Sequence, residues 1–292
     1  MVEFKDVTLK SKDEIEGFLK NTCSYSSEFS FANIYAWQHM YKVKYAMVDG
    51  ALVLLYIAGN GELFLFYPLA KEHADEVFEK VLARLHEQGR KPKIRLWNEK
   101  QAELFQQKYG DKVKFFEDDS IEEYVYDREK LATLSGKKLH SKRNFVNRFK
   151  SMYDWQYKKM DQTLAKECVG VFHSWLDEKD EQLEGVTEAT LKFLDNYEEL
   201  ALTGGCLLAD GKIVAFSVGE QICDDVAAVH LEYGDKNYHG VFQAMNQEYV
   251  ANEWQHVKYI NREEDMGLVG LRQAKQSYKP DFMVKKYIAE FL

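Results

Sequence analysis

The stretch Val229-His230-Leu231-Glu232-Tyr233-Gly234-Asp235-Lys236-Asn237-Tyr238-His239-Gly240 decides how the second half of this chain folds. It reads as a strand that ends at Gly234 and gives way to a helix beginning near Tyr238. Alternate strand residues face opposite sides, so His230 and Glu232 are expected on one face and Leu231 and Tyr233 on the other. The next helix presents unpaired backbone N–H groups near Gly240 and Val241, which suits an anion. A polar strand end and a plain loop is the bland alternative; a carboxylate beside an anion site favours the functional one.

Working outward, Ala201–Ala209, Ile213–Glu220 and Val226–Tyr233 read as strands, with Asp210-Gly211 as a tight hairpin turn. Beyond the helix Tyr238–Trp254 come a strand Val257–Ile260, the polar run Asn261-Arg262-Glu263-Glu264-Asp265, a helix Gly267–Ser277 and a strand Val284–Phe291. In an open α/β sheet, loops at the carboxyl ends of neighbouring strands face one crevice, so Glu232 and Arg262 are expected on the same rim. Arg262 suits bidentate binding of phosphate or carboxylate. Asn261, Glu263, Glu264 and Asp265 then form the acceptor side, where a carboxylate can hold an ammonium group. Arg272 and Lys275 lie about one turn apart, with Leu268 and Leu271 expected inward. Tyr278, at a helix end, suits proton donation to a leaving group. Solvated loops and ordinary surface lysines are the competing explanations for these charges.

The first half reads as helices Ser11–Asn21 and Ser30–Tyr41, then strands Tyr45–Val48, Leu52–Ile57 and Leu63–Tyr67. An amphipathic helix Lys71–Gly89, a strand Lys93–Trp97, a helix Lys100–Tyr109 and strands Val113–Phe116 and Ile121–Tyr126 follow. Each half thus runs strand, strand, strand, helix, strand, helix, strand. The expectation is an α/β (α+β) chain of two domains, 1–130 and 131–292, with the chemistry in the second. One large α+β domain is the alternative.

Composition narrows the function classes. The chain has 292 residues, 46% hydrophobic and 14% aromatic, with only 3 Pro, which favours packed cores over disorder. Its net charge of -9 excludes a generally nucleic-acid-binding surface, so a polyanion must meet a local basic patch. The one such patch is Lys137-Lys138-Leu139-His140-Ser141-Lys142-Arg143-Asn144, opening a helix Gly136–Met152 with Leu139, Phe145, Phe149 and Met152 on its apolar side. Lys142, Arg143 and Asn144 are candidates for a phosphate platform, weighed against an ordinary solvated helix. The four cysteines, Cys23, Cys168, Cys206 and Cys223, show no metal or disulfide spacing and read as buried thiols. The histidines lack ligand spacing, so no metal is expected. No signal-like segment opens the chain, and its longest apolar run, Ala51 to Ala58, is far below the roughly 20 residues that cross a bilayer. A soluble, cytoplasmic protein is expected.

Several segments in order carry a resemblance: Leu134 through Asn144, Asp210-Gly211-Lys212-Ile213-Val214-Ala215-Phe216, Asn261 through Gly267, and Leu271-Arg272-Gln273-Ala274-Lys275-Gln276-Ser277-Tyr278. Together they resemble the family named for the C-terminal domain of phosphatidylglycerol lysyltransferases, over nearly the whole chain. That resemblance implies two tandem acetyltransferase-like (GNAT) domains related to Fem-type aminoacyltransferases. It also implies aminoacyl-tRNA or acyl-CoA as co-substrate, with no permanently bound cofactor. The GNAT pyrophosphate loop is reduced here to Lys236-Asn237-Tyr238-His239-Gly240-Val241, with one glycine, which weakens the case for acetyl-CoA. The full lysyltransferases carry a membrane-spanning region not seen in this sequence, which counts against a lipid headgroup as acceptor.

The expected function is transfer of an activated acyl or aminoacyl group from a phosphate-bearing carrier to an amine or hydroxyl. Glu232 would be the base, beside His230, and Tyr278 the proton donor. Lys142, Arg143, Asn144, Gly240, Val241, Arg262, Arg272 and Lys275 would hold the donor. The alternative is a non-catalytic module that binds a nucleotide or an RNA end.

Overall fold

The computed structural model describes residues 2–20, 22, 24–116, 118–176 and 184–292. Cys23, Glu117 and the expected helix end at Asn21 lie outside them. The chain divides into two units, 1–122 with 285–292, and 123–284.

The first unit contains β1 (Lys5–Asp6), α1 (Lys12–Leu19), α2 (Phe31–Tyr41), β2 (Lys44–Val48), β3 (Ala51–Ile57), β4 (Leu63–Phe66), α3 (Ala74–Glu87), β5 (Lys93–Leu96), α4 (Glu99–Tyr109) and β6 (Val113–Phe116). The second contains β7 (Glu123–Asp127), α5 (Arg128–Thr133), α6 (His140–Met152), β8 (Trp155–Lys159), α7 (Gln162–Trp175), α8 (Glu184–Asp195), β9 (Thr203–Ala209), β10 (Lys212–Cys223), β11 (Val226–Gly234), α9 (Val241–Glu253), β12 (Tyr259–Asn261), α10 (Val269–Ser277) and β13 (Phe282–Val284). The last strand, β14 (Tyr287–Phe291), returns to the first unit.

Each unit is a seven-stranded, mostly antiparallel sheet with helices packed on it. The orders are β1-β2-β3-β4-β5-β14-β6 and, read from its other edge, β8-β9-β10-β11-β12-β7-β13. Position by position the two match: β4–β5 and β11–β12 are the parallel pairs, each joined through a helix. The hairpins β2–β3 and β9–β10 turn on Asp49-Gly50 and Asp210-Gly211, all with positive φ, as a type I′ turn requires. In the first core, Val77, Val81 and Leu85 bring one α3 stripe onto Val53, Leu65 and Ile94. In the second, Ala244, Met245 and Tyr249 of α9 pack with Leu207, Ala215 and Ile260.

The strand assignments at the two domain ends need correction. The expected strand Val284–Phe291 is two strands, and β14 pairs with β5 and β6 of the first sheet. The strand that seemed to close the first half, β7, instead lies between β12 and β13 of the second sheet. The first sheet thus receives its sixth strand, β14, from beyond the second unit's sequence, while β7 opens the second unit and is the sixth strand of its sheet. A contiguous pattern search pairs strands with their chain neighbours, and this exchange is invisible to it.

Candidate active site

The site is built where β11 and β12 part. Their pairing covers Val226↔Tyr259, Ala227↔Ile260 and Ala228↔Asn261, and then stops. β11 continues to Gly234 against β10. The chain after Asn261 follows β7 instead: the Arg262 N–H donates to the Tyr124 carbonyl at 2.9 Å, and the Tyr124 N–H to the Glu263 carbonyl at 3.2 Å. Two neighbouring strands that separate in this way leave a wedge, and Glu232 and Arg262 close it. Arg262 Nη2 lies 2.7 Å from Glu232 Oε1, so both do stand on one rim. Asn246 Nδ2, from α9, donates to the other carboxylate oxygen at 2.9 Å.

His230 and Glu232 do not share a face, contrary to the alternation expected of a regular strand. Leu231 pairs with Val218 and Val229 with Gly219, so His230 is an extra residue in a β-bulge. The bulge reverses the alternation. Glu232 turns to α9, while His230 stacks on Phe193 of α8 with centroids 4.9 Å apart and planes 10° from parallel. Tyr233, expected opposite His230, lies on the same side and reaches Thr190 of α8. His230 is fully buried between Glu263 (Nδ1 to Oε1, 2.7 Å) and Glu220 (Nε2 to Oε1, 3.0 Å). Burial opposes its charge, but the two carboxylates outweigh burial and raise it to about 10. At neutral pH it is an imidazolium donating both N–H groups, and so not a base.

Arg262 forms the second cluster. Its guanidinium lies 4.9 Å from the Tyr278 ring centre and 5.8 Å from that of Tyr126. Lys142 Nζ sits 4.6 Å from the same Tyr278 ring. Burial works against the Arg262 charge, yet Glu232 and the two tyrosines more than offset it. Lys142 is held below its ordinary range by burial and then by Arg262. Burial pushes the Tyr278 hydroxyl well up against the pull of Arg262, so it keeps its proton. Two cations on one aromatic ring, balanced by a single carboxylate at Glu232, make a local positive field in an acidic chain.

The polar run is built into the structure and is no solvated loop. Asn261 is fully buried, donates to Glu123 Oε2 and accepts the Glu263 N–H at 2.7 Å. Asp265, also fully buried, takes a bidentate contact from Arg272 (2.7 and 3.2 Å) and the Tyr124 hydroxyl at 2.6 Å. Burial alone would raise the Asp265 carboxyl; Arg272, Tyr124 and the Gly267 N–H bring it below its ordinary value. Lys275 is buried and its Nζ reaches the carbonyls of Arg262, Glu263 and Glu264, which makes it the clamp of this loop. The Glu264 backbone is therefore fixed as well.

Other candidates are placed differently. Arg143 donates to the Leu134 and Gly136 carbonyls, closing the end of α5, and Asn144 Nδ2 lies 3.3 Å from His140 Nε2. Gly240 has φ +83° and Val241 is buried with its N–H on the Tyr238 carbonyl, so α6 and that turn cover the start of α9. Leu139, just before α6, and Val146 and Phe149 on it are buried, while Phe145 and Met152 are exposed. Leu268, expected inward, is likewise exposed. Residues the sequence reading missed are Ser217 and Asn246, fully buried beside Glu232, and Tyr124 and Tyr126 from the exchanged strand. A polar Asn on the apolar side of α9 was the one available signal.

With this geometry, comparison with known proteins is informative. A family model described as "Phosphatidylglycerol lysyltransferase, C-terminal" matches residues 20–290. The chain belongs to this family. A conserved protein of unknown function from Bacteroides thetaiotaomicron is similar over 100% of both chains, with 32% identity and a TM-score of 0.93. L-PGS from Bacillus licheniformis is 20% identical with a TM-score of 0.67, covering 96% of this chain and 91% of that one. A tandem GNAT protein from the clavulanic acid biosynthesis pathway is 8% identical with a TM-score of 0.52 over 100% and 98% of the two chains, a likeness of fold alone. An uncharacterized protein of Mycoplasmoides gallisepticum is 26% identical over 180 residues, which is 60% of this chain and 58% of that protein. This member of the lysyltransferase C-terminal family therefore has the two GNAT-like sheets expected of it. Among its described residues, no helix is long and apolar enough to cross a membrane.

Proposed function

We propose that the chain is an aminoacyl- or acyltransferase whose reaction takes place in the wedge between β11 and β12. The observation that carries this reading is the Glu232–Arg262 bridge across the two parted strands, with Lys142 and Tyr278 beside it. The family, described as "Phosphatidylglycerol lysyltransferase, C-terminal", agrees with it.

An ester or thioester donor is already activated, so orientation, a base and a stabilised oxyanion are sufficient. The acceptor's amine or hydroxyl gives its proton to Glu232 and forms a bond to the donor carbonyl carbon. Arg262 Nη1, buried and without a partner among the described residues, is the donor for the developing oxyanion. The bond to the carrier's oxygen or sulfur then breaks, and the proton on Glu232 passes to the departing atom. Lys142 and Arg262 provide the charge that attracts the carrier's phosphate end, and Tyr278 keeps both cations in register. Arg143 and the start of α9 carry less of this role, since their donors serve the fold.

The test is a transfer assay with aminoacyl-tRNA labelled in its amino acid and with labelled acyl-CoA, each against amine, hydroxyl and lipid-vesicle acceptors. Label is expected to leave aminoacyl-tRNA for an acceptor. Binding of tRNA without transfer to any acceptor would replace this reading with that of a binding module.

A further inference from the structure

Three buried polar atoms with no hydrogen-bond partner among the described residues belong to side chains around one carboxylate: Ser217 Oγ, Asn246 Oδ1 and Arg262 Nη1. Ser217 stands directly opposite Glu232 in the β10–β11 register. Asn246 spends its amide nitrogen on Glu232 at 2.9 Å, and Arg262 its other terminal nitrogen at 2.7 Å. Ser217 and Asn246 are fully buried. Interior polar atoms are almost always bonded, and an orphan in the free protein marks a place where something else completes the bonding. Three around a single side chain, from β10, α9 and the loop after β12, are a local property of this site.

We infer that Ser217 and Asn246 hold the acceptor's attacking group, a primary amine or hydroxyl, against Glu232. The inference rests on the transfer reading and adds to it the residues that select the nucleophile. The orphans match the needs of such a group. A neutral amine gives one N–H to Glu232 and the other to the Asn246 carbonyl oxygen; a hydroxyl gives its one O–H to Glu232 and accepts from the Ser217 hydroxyl on one lone pair, leaving the other for attack. Arg262 Nη1 remains for the carbonyl oxygen of the donor. The nucleophile's lone pair is thereby aimed across the wedge, its proton goes to Glu232, the new bond to carbon forms, and the carrier's bond breaks. His230 takes no part, since it lies on the opposite face.

The decisive property of Ser217 is that no described residue hydrogen-bonds its hydroxyl. Removing a bonded hydroxyl destabilises; removing an orphaned one leaves no group unsatisfied. Ser217→Ala is therefore expected to keep or raise Tm while acceptor KM rises about tenfold, the effect of one lost hydrogen bond, with kcat little changed. Asn246→Ala, which also frees Glu232, is expected to lower both kcat and acceptor affinity. Ethanolamine, which carries both head groups, serves as a probe without any donor: its NMR-detected affinity should fall about tenfold in Ser217→Ala. Wild-type protein that does not bind ethanolamine, or a Ser217→Ala protein with unchanged acceptor KM and ethanolamine affinity, overturns the proposal. Ethanolamine binding that weakens in Ser217→Ala, in a protein that transfers nothing, supports the pocket and removes the transferase reading instead.

Discussion

His230 and Glu232 are two positions apart on β11 yet face opposite sides of its sheet, because the bulge at His230 interrupts the alternation. One consequence reaches across the wedge. His230 grips Glu263 on one face, and the adjacent Arg262 grips Glu232 on the other. Glu263 has φ +58°, a left-handed conformation that a non-glycine residue adopts at a cost. The Glu220–His230–Glu263 clasp holds it there, and so sets the position from which Arg262 extends.

The clasp makes a signed prediction about pH. The folded-state value of His230, about 10, lies above its ordinary 6.5, so its stabilisation is complete below about pH 6.5 and is lost as pH rises through 10. His230→Gln removes the charge and leaves two carboxylates facing each other across an uncharged amide. A loss of about 3–5 kcal/mol at pH 7 is expected, as for other broken buried ion pairs. Denaturant titrations from pH 6 to 10 should show wild type and variant converging toward the alkaline end. Parallel curves would mean that His230 is neutral in the native protein.

Glu232→Gln tests the base directly. The amide oxygen can still accept from Arg262, and its NH2 can donate to the Asn246 carbonyl oxygen once that side chain turns over, so the fold should survive with Tm changed by only a few degrees. Turnover should fall about 100- to 10,000-fold, the range of general-base catalysis. A variant with native stability and native kcat would remove Glu232 from the mechanism.

Lys142 provides charge without an ion-pair partner among the described residues, so its loss should be felt mainly by a polyanionic donor. Lys142→Ala is expected to weaken tRNA binding and to lower the slope of log K against log salt by about one phosphate contact. Binding measured between low and moderate salt checks this. An unchanged slope would place the carrier's phosphates elsewhere.

Much of this architecture was legible in the sequence, and the reasons are local. Asp49-Gly50 and Asp210-Gly211 announce their hairpins because few other pairs accept two positive φ angles in succession. The α3 stripe Val77, Val81, Leu85 announces its buried face by spacing alone. Glu232 and Arg262 were placed on one rim by the rule for parallel strand ends, and they meet there. What the sequence hid depends on register and on distant partners. A bulge shifts faces without any residue marking it, so His230 was set beside Glu232. The exchange of β7 and β14 joins strands more than a hundred positions apart, so Tyr124, Tyr126 and Glu123 were not foreseen beside the polar run. Arg143 is a phosphate candidate by sequence, because nothing in a basic helix reveals that the Leu134 and Gly136 carbonyls take its donor.

Lys275 has a pH effect of opposite sign to that of His230. Its ammonium is saturated by three loop carbonyls, while burial and Arg262 pull it down to about 8. A lysine depressed in the folded state binds its proton more weakly there than in the unfolded chain. The cost is therefore complete below pH 8 and disappears by about 10.5, so this group makes stability rise across that interval. Lys275→Met keeps the length and removes the charge, leaving the carbonyls of Arg262, Glu263 and Glu264 without their donor. The expected loss is about 2–4 kcal/mol at pH 7, from several unsatisfied acceptors. The variant should also show a steeper net fall in stability between pH 8 and 10 than wild type, because only the His230 contribution is left to titrate. Equal slopes in the two proteins would show that Lys275 carries its ordinary pKa and that the loop is held by something else.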